Sequence, residues 1–556
     1  MRYIYALALL LSTAQADELR LVFPIDGLVL THAYDASSRD GLQVPLVCVA
    51  SPDATVWING HRARRVDTNR DTVQVHPKIA IHRAGDKKFL IIHPLTTTLI
   101  DSDQEAIFYT NLDIQKGPVL DIVIEAQDRE NLLMTTAVCY VRLDPTLTYS
   151  ITIDDVADVF AEIVAHNYAS LFDHPTFAFM KRMHDMYGTV FSLFLFERAT
   201  IHIPFSLRDM RARYRSEFET NAHWLRLSFH AIQMEPARPY ANASYEQARY
   251  DYMRIKNHSD RFAGANSWDI FLRSHYWSGS IESVQAWRDA GIRGLYGAVR
   301  GFSAYYLSPQ KNQILNITDA WRDNEEDITF VQTDIWLEKD ATTQEALHAK
   351  LTDITSRPTQ AQNIQIFTHE SYLLPHSPSD MMDRLEEAIL WLTAKGYVPR
   401  LDLNDPGFCI KAPAPPRHLH MGSGASLFWQ HFQREANYRY RILRKSLNAE
   451  AQWEQIAEVN TLSFVDTLTI ESSAYRIFAV DDAERLSGGS PILMRTAQEI
   501  IGSRRSDFNA DGRINFLDFI AFAQAYHQSD QTADLNGDGL INLDDLLTFI
   551  SHFDSE

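Results

Sequence analysis

The sequence has few cysteines, no long hydrophobic run beyond its N-terminus and neither of two common catalytic signatures, and each absence excludes a class of protein. Its three cysteines among 556 residues have spacings that fit no zinc motif. No later stretch approaches the roughly 20 apolar residues that a membrane-spanning helix needs. A Gly-x-Ser-x-Gly nucleophile elbow and a Walker loop are both missing, which argues against an α/β-type serine hydrolase and a P-loop nucleotide enzyme.

Basic residues are also scarce. Lys and Arg number 52 against 72 Asp and Glu, which gives a formal net charge of −20. Because binding to phosphates needs Lys and Arg, we expect no nucleic-acid partner. The hydrophobic fraction of 45% and the charged fraction of 22% are ordinary for a globular protein, and 556 residues exceed what one core holds. We therefore predict several domains of roughly 100–200 residues each.

The N-terminus has the pattern of a secretory signal peptide. Arg2 supplies positive charge, residues 3–11 form a short apolar run, and Ala14-Gln15-Ala16 is a small-x-small cleavage site. With about 10 apolar residues, the run is too short to span a bilayer. We predict cleavage after Ala16 and a secreted protein, either extracellular or attached to a cell surface.

Export would permit a disulfide bond. Cys48 and Cys139 both lie in strand-like runs near the N-terminus, and an oxidising compartment would allow them to pair. Two buried thiols fit the same pattern equally well. Cys409 would be left unpaired in either case.

Hydrophobic patterning divides the chain into four regions. In residues 17–147, short apolar runs alternate with polar turns, which predicts an Ig-like β-sandwich. In residues 148–410, strand-like runs alternate with helical ones, which predicts parallel strands in a β/α sheet or barrel. The region 411–497 begins with the Pro-rich linker 411–418 and continues with strand-like runs that resemble a fibronectin type III module, usually a spacer. Residues 498–556 form the fourth region.

An internal repeat in the fourth region has the spacing of calcium ligands. Two twelve-residue segments begin at Asp507 and Asp534, 27 residues apart (534 − 507). Each has oxygen-bearing side chains at positions 1, 3, 5, 9 and 12 and glycine at position 6, which wraps hard oxygen ligands around one ion. The candidate ligands are Asp507, Asn509, Asp511, Asn515 and Asp518, then Asp534, Asn536, Asp538, Asn542 and Asp545, with backbone carbonyls from Arg513 and Leu540.

Position 12 of both segments is Asp rather than the Glu of an EF-hand, and a helical stretch follows each segment. In these features the repeat resembles the paired loops of a dockerin, over about residues 500–556. The resemblance implies a helical, EF-hand-like module that binds two Ca²⁺ ions. It also implies a partner, a cohesin-type domain of a scaffold or cell-surface protein.

Four motifs of the second region place polar residues where strands are expected to end. They are Ile151–Asp155 (ITIDD), Leu227–His230 (LSFH), Phe271–Gly279 (FLRSHYWSG) and Ile364–His369 (IQIFTH). The carboxyl ends of parallel strands meet at one edge, where the sites of α/β proteins lie. In order and placement, the motifs resemble those of NodB-homology polysaccharide deacetylases, which implies a distorted deacetylase-type β/α barrel.

The resemblance implies a role for each motif. Asp154 corresponds to the general base, Asp155 and His230 to metal ligands, and His369 to the general acid. Where the family has its second ligand histidine, this chain has Met234.

Two residues are candidates to replace the missing imidazole. Glu235 lies beside Met234, and His275 lies in the third motif. Asp155, His230 and His275 would together give a carboxylate and two imidazoles, a set that suits zinc, iron or cobalt.

Other residues are candidates for substrate contact. Arg273 matches the arginine of the family's third motif, and Tyr276 and Trp277, which follow His275, would stack on a sugar ring. Asp334 is a candidate to orient a catalytic group. The resemblance thus implies a metal-dependent hydrolase that removes N- or O-acyl groups from a polysaccharide, with Asp154 accepting a proton and His369 donating one.

Two alternatives stay open. The loss of the second histidine also fits a non-catalytic carbohydrate-binding or adhesin protein that keeps a decayed deacetylase fold. A glycoside hydrolase on a β/α barrel would need two carboxylates about 5–10 Å apart, and only Asp154 with Asp334 or Glu370 are candidates.

Overall fold

A computed structural model gives the conformation of most of the chain. The described residues are 19–35, 41–67, 70–76, 79–84, 88–92, 95, 97–101, 104–129, 132–198, 204–299, 302–357, 359–377, 380–405, 407–408, 411, 413–423, 425–432, 437–447, 451–467, 471–511 and 513–553. The predicted signal peptide and Cys409 lie outside them. Among the helices of these residues, none has the length and apolar character needed to cross a membrane.

The N-terminal region is a β-sandwich, as the sequence predicted. Along the strand Val119–Gln127, for example, buried residues alternate with more exposed ones, so one face of the sheet packs on the core. The strands are β1 (Arg20–Phe23), β2 (Val29–Leu30), β3 (Leu42–Ala50), β4 (Thr55–Ile58), β5 (His61–Arg62), β6 (Arg64–Arg65), β7 (Thr72–His76), β8 (Ile79–Arg83), β9 (Lys88–Ile92), β10 (Thr97–Asp101), β11 (Ala106–Ile114), β12 (Val119–Gln127) and β13 (Leu132–Val141).

Two sheets enclose the core of this sandwich. Their strand orders are β1-β3-β11-β6 and β2-β13-β12-β4-β5, and a third sheet, β10-β9-β8-β7, lies beside them. Cys48 and Cys139 are both buried with free thiols, so the two-thiol alternative holds in the structure. Burial raises the pKa of the Cys48 thiol to about 12.

The second region alternates strands and helices. The strands are β14 (Thr148–Val156), β15 (Phe191–Phe196), β16 (Leu225–Ala231), β17 (Phe271–Leu272), β18 (Gly294–Tyr296), β19 (Ala320–Asp323), β20 (Ile328–Val331), β21 (Ile335–Trp336), β22 (Asn363–His369) and β23 (Val398–Pro399). The helices are α1 (Asp158–His166), α2 (Pro175–Tyr187), α3 (Arg215–Asn221), α4 (Tyr245–Phe262), α5 (Ile281–Asp289), α6 (Pro309–Leu315), α7 (Leu337–Asp340), α8 (Gln344–Thr355) and α9 (Met381–Ala394).

Parallel strands of this region follow one another around a ring. One set runs β16-β15-β14-β22-β21 and another runs β17-β18-β20. The sets meet on one side where the Asp269 amide donates to the Leu227 carbonyl at 2.8 Å. On the other side the chain passes directly from β20 into β21. The ring agrees with the predicted β/α architecture, whereas its membership of the deacetylase family stays a prediction.

The third region is a smaller β-domain. Its strands are β24 (Arg417–Met421), β25 (Ser426–Gln430), β26 (Arg439–Ser446), β27 (Glu454–Val459), β28 (Ser463–Val465), β29 (Ser473–Val480), β30 (Leu486–Gly489) and β31 (Leu493–Arg495). They form the sheets β24-β25-β28 and β27-β26-β29-β30, around a core that includes Trp429 and Tyr440.

This third domain packs on the N-terminal sandwich rather than serving as a free spacer. Arg476 forms two hydrogen bonds with Asp121, at 2.6 and 2.7 Å. Lys445 reaches Glu125 at 2.6 Å. Both cationic side chains are almost fully buried, so these contacts fix the two domains against each other.

The C-terminal region is helical, with α10 (Ala497–Ser506), α11 (Phe516–His527) and α12 (Leu543–His552). Each repeated segment runs directly into α11 or α12, as the sequence predicted. A small core that includes Phe522, Leu535 and Phe549 lies between the two copies.

Candidate functional site

A bulge in β14 turns two consecutive carboxylates towards the same end of the ring. Alternate residues of a strand normally face opposite sides, but the pairing of β14 with β15 shifts register between Ile153 and Val156. Asp155 there has a φ of 64°, a left-handed conformation that is costly outside glycine. The sequence predicted that the strand would end at this point, whereas β14 continues to Val156 and the bulge redirects the side chains instead.

Three side chains from separate motifs converge beside this bulge. The Oδ1 atom of Asp155 lies 3.1 Å from Nε2 of His230 and 3.5 Å from Nδ1 of His275. The two imidazole nitrogens are 3.1 Å apart. Ligands at about 2.0–2.1 Å from a tetrahedral ion lie roughly 3.3 Å from one another. The donor set and its spacing therefore fit a zinc-like ion with a position left for water or substrate.

Surrounding contacts fix which nitrogen of His230 faces the cluster. Its Nδ1–H donates to the backbone carbonyl of Arg273 at 2.6 Å, because a carbonyl can only accept. In the neutral ring, Nε2 then carries the lone pair. Such a carbonyl contact is how proteins orient a metal-binding histidine.

The chemistry of the other two side chains also suits a cation. Burial would raise the pKa of Asp155, but hydrogen bonds with His230 and His275 hold that pKa well below its usual range. Burial lowers the pKa of His275, against the opposing effect of Asp155, which favours the neutral imidazole that a metal requires. His275 is held by a strained turn, since Tyr276 and Trp277 after it have φ of 53° and 50°.

Asp154 is held beside the cluster by a buried arginine. Nη1 of Arg273 donates to Asp154 Oδ1 at 2.8 Å and to Thr152 at 2.8 Å, and Nη2 reaches Thr333 at 3.1 Å. Arg273 is only 1% exposed and lies among the rings of Phe194, Tyr296 and Phe367. The sequence predicted that it would contact substrate, whereas the structure places it beneath the site as the partner of Asp154.

His369 lies on the other side of the cluster and pairs with a carboxylate that sequence reasoning missed. Its Nδ1 is hydrogen-bonded to Glu338, and its Nε2 lies 3.9 Å from Asp155 Oδ2. Burial would lower the pKa of His369, but Glu338 and Asp155 raise it to about 9. Glu338 is itself held by Trp336 Nε1 at 2.5 Å and Thr368 at 2.9 Å.

Asp334, the residue predicted to orient a catalytic group, has a structural contact instead. Its Oδ2 accepts the Gln365 amide at 3.0 Å. Glu338 takes the orienting position four residues later, in α7. A pattern search for a carboxylate in the short helix after the TDIW segment would have found it, but neither spacing nor propensity singled it out.

Two other sequence candidates lie apart from the cluster. Glu235 is exposed, and the metal-ligand grouping found in the described residues contains Asp155, His230 and His275 without it. Glu370 is buried and accepts the amides of Ala157 and Val159 at 3.0 and 3.2 Å, so it caps α1. Burial raises its pKa well above the usual range.

Aromatic side chains surround the site. Trp277 is buried, with its ring 5.5 Å from Phe302 and 6.0 Å from Trp336. Trp336 in turn lies 5.7 Å from the ring of His369. Tyr276 is 52% exposed and Phe302 is 46% exposed. Of the two aromatic residues predicted to meet substrate, only Tyr276 thus faces solvent directly.

The C-terminal segments form two loops with matching hydrogen bonds. In the first, Asp518 accepts the amides of Asn509 and Asn515 at 3.1 and 2.9 Å. In the second, Asp545 accepts those of Leu535 and Asn542 at 2.8 and 2.9 Å. Each position-12 carboxylate therefore ties its loop together in the same way.

In the first of these loops, the carboxylates lie close enough to share an ion. Oxygens of Asp507, Asp511 and Asp518 fall within 4.8 Å of one another. Asp518 and Asp545 are fully buried, which is unfavourable for a carboxylate without a cation or several donors. Gly539, at position 6 of the second loop, has the positive φ of 82° that the turn requires; its counterpart Gly512 lies outside the described residues.

Comparisons with known proteins place no family on the chain. No protein-family model matches the sequence, and no curated protein matches it. Among solved structures, a fibronectin type III domain of the human fibronectin type III domain containing protein 3 is 15% identical, with 16% of this chain and 86% of that chain covered and a TM-score of 0.14.

Glycoside hydrolases also occur among the structural neighbours. A Cellulomonas fimi endo-β-1,4-mannanase double mutant is 10% identical, with coverage of 62% and 94% and a TM-score of 0.25. A family 123 glycoside hydrolase from Clostridium perfringens is 11% identical, with coverage of 69% and 87% and a TM-score of 0.24. Likeness at these scores carries no argument about activity, so function rests on the site itself.

Proposed function

We propose that the protein is a secreted, metal-dependent hydrolase that removes acyl groups, such as N- or O-acetyl, from a polysaccharide. The observation that carries the proposal is the convergence of Asp155, His230 and His275 at 3.1–3.5 Å, with Asp154 and His369 beside it. A bound Zn²⁺ or similar ion would supply Lewis acidity at the acyl group. The remaining steps belong to side chains of this chain.

Asp154 is the proposed general base. Arg273 occupies its Oδ1 atom, which leaves Oδ2 to accept a proton from the attacking water. Holding the carboxylate in one orientation should contribute strongly to the rate, because a general base must first lie within hydrogen-bonding reach of the proton that it accepts.

His369 is the proposed general acid. With its pKa raised to about 9, its imidazole carries a proton at neutral pH and can give it from Nε2 to the leaving amine or alcohol. Glu338 on Nδ1 fixes the ring and favours the protonated form. Asp154 and His369 are direct neighbours across β14 and β22, so a base and an acid stand together beside the cluster, as an acyl transfer to water needs.

The aromatic surroundings support a sugar substrate. The ring of Tyr276 lies 4.7 Å from that of His275, and Phe302 packs against Trp277. Both Tyr276 and Phe302 are about half exposed, and such rings can pack on the apolar face of a pyranose. The glycoside hydrolase alternative needs a second free carboxylate beside Asp154. Its two candidates, Asp334 and Glu370, already accept hydrogen bonds from backbone amides.

Product analysis separates the candidate activities. The full-length protein, loaded with Zn²⁺, is incubated with acetylated xylan and with chito-oligosaccharides, and both acetate and new reducing ends are measured. We expect acetate without new reducing ends. Reducing ends without acetate would instead indicate a glycoside hydrolase. The absence of both products would indicate a non-catalytic sugar-binding protein.

We further propose that the C-terminal module binds two Ca²⁺ ions and attaches the protein to a cohesin-type domain. The paired loops with their buried position-12 carboxylates support calcium binding. Apolar residues exposed on both helices support docking, because Phe516 and Ile520 of α11 stand 27 residues before Leu543 and Leu547 of α12, at equivalent positions.

A further inference from the structure

The N-terminal sandwich carries a basic patch that neither the metal site nor the calcium loops use. Four of the five residues from 61 to 65 are His or Arg, and all four are exposed. In an extended chain, the Cα atoms of these five residues span at most roughly 14 Å. The patch stands out because the whole chain has a net charge of −20.

The patch lies where the chain crosses from one sheet to the other. Strand β5 forms the edge of the sheet β2-β13-β12-β4-β5, and β6 forms the edge of the sheet β1-β3-β11-β6. Ala63 joins them, with its amide bound to Val56. The cationic side chains therefore wrap around one edge of the sandwich.

Among the residues that the structure describes, two arginines of the patch have no acidic partner. In the described part of the chain, Arg62 and Arg64 take part in no ion pair or side-chain hydrogen bond, while Arg65 donates to the carbonyl of Pro52 at 2.8 Å. The chain has 72 acidic residues, yet these two neighbouring arginines are unpaired. Their guanidinium groups are therefore available to an external anion.

An aromatic ring lies beside each unpaired arginine. Trp57 is directly opposite Arg62 across β4 and β5, and Tyr109 is directly opposite Arg64 across β11 and β6. Directly paired residues share a face of the sheet, and both rings are half-buried. Each arginine is thus next to a flat apolar surface.

We propose that this edge of the N-terminal sandwich binds an anionic polysaccharide, through guanidinium contacts to carboxylate or sulfate groups and packing of sugar rings on Trp57 and Tyr109. Short basic runs of this kind are typical of surfaces that bind sulfated glycans. Nucleic acid fits less well, because a duplex carries one charge per about 1.7 Å, far more than a short patch of three arginines and one histidine can match. A polysaccharide with one or two charges per sugar matches a few arginines.

Binding to immobilised polymers tests the proposal. The full-length protein is eluted by a salt gradient from heparin, which carries sulfate, and from polygalacturonate, which carries carboxylate, with dextran as the neutral polymer. We expect retention on at least one anionic polymer and none on dextran. For the double variant Arg62→Gln/Arg64→Gln we expect at least about a tenfold loss of apparent affinity.

A matched variant controls for net charge. Arg208 and Arg249 are exposed arginines of the central domain, and Arg208→Gln/Arg249→Gln makes the same charge change without touching the patch. It should bind as the wild type does. Equal binding by the wild type and the patch variant would overturn the proposal, as would no binding at all by the wild type.

Two further measurements complete the test. If the wild type binds single-stranded DNA or anionic phospholipid vesicles as tightly as the anionic polysaccharides, or more tightly, the proposal of a polysaccharide partner is overturned. Acetate release from a neutral acetylated oligosaccharide should be the same for the patch variant and the wild type. Loss of glycan binding with acetate release retained therefore separates this proposal from the proposed catalytic function.

Discussion

The central cluster and the C-terminal loops both gather potential metal ligands, but they do so in opposite ways. In each C-terminal loop, the potential ligands come from twelve consecutive residues, and local hydrogen bonds such as those of Asp518 and Asp545 shape the loop. In the central cluster, Asp155 comes from the bulge of β14, His230 from β16 and His275 from the turn after β17, and the three meet only through the fold. The loops depend on local sequence, whereas the cluster depends on the whole fold.

The largest expected effect concerns the base of the central cluster. Asp154→Asn keeps the shape of the side chain and a bond to Arg273 but removes its ability to accept a proton. We expect acetate release to fall by roughly 10²–10⁴-fold, with metal content unchanged. Glu235→Gln, an exposed neighbour of the motif, serves as the control and should retain activity. Full activity of Asp154→Asn would show that Asp154 is not the general base.

A second variant tests the residue that only the fold brings to the site. Glu338→Gln keeps a hydrogen-bonding group near His369 but loses the negative charge. We expect kcat to fall by roughly 10²-fold, because a misplaced catalytic group costs about that much, with KM little changed. The loss of activity on the alkaline side of the pH profile should also move to lower pH, since Glu338 raises the pKa of His369 to about 9.

The sign of that shift distinguishes a positioning role from a merely structural one. A general acid must be protonated, so activity is lost as the pH rises through its pKa. Without Glu338, the pKa of His369 falls and activity is lost at a lower pH. A uniform loss of activity at every pH, with its alkaline limit unmoved, would contradict the pairing of Glu338 with His369.

The smallest effect on catalysis is expected from removing calcium, which sharpens the contrast between the two regions. At a free concentration of 100 times Kd, one bound Ca²⁺ adds about 2.7 kcal/mol to the stability of the module. Chelation should therefore lower the melting temperature of the C-terminal helices, and Asp518→Asn/Asp545→Asn should abolish the response to Ca²⁺. Acetate release should be unchanged, and a parallel loss of it would mean that the regions are coupled.

The same contrast explains what the sequence could predict. The two helices after the repeated segments could be predicted from the sequence and are present. That the segments bind calcium stays a prediction, which depends only on spacing along the chain. The assignment of His275 as the replacement ligand was a hypothesis from order alone, and the structure brings it next to Asp155. Glu235, although adjacent to Met234, points into solvent, because the chain leaves the strand end before reaching it.

Residues that act through others were the hardest to find. Glu338 lies in the short helix α7, and only the approach of β21 to β22 carries it to His369. Arg273 was predicted to contact substrate, but it is buried and donates a hydrogen bond to Asp154. Its burial depends on how the strands are arranged, which its own motif does not reveal. The bulge that turns Asp154 and Asp155 together likewise depends on the pairing of β14 with β15.

Metal content tests the central claim most directly. The wild type, His275→Ala and Glu235→Ala are purified as full-length chains, equilibrated with Zn²⁺, freed of excess ion and analysed for zinc per chain in the presence of Ca²⁺. We predict about one zinc in the wild type and in Glu235→Ala, and loss of that zinc in His275→Ala. No zinc in the wild type, or zinc that depends on Glu235 rather than His275, would contradict the metal centre described.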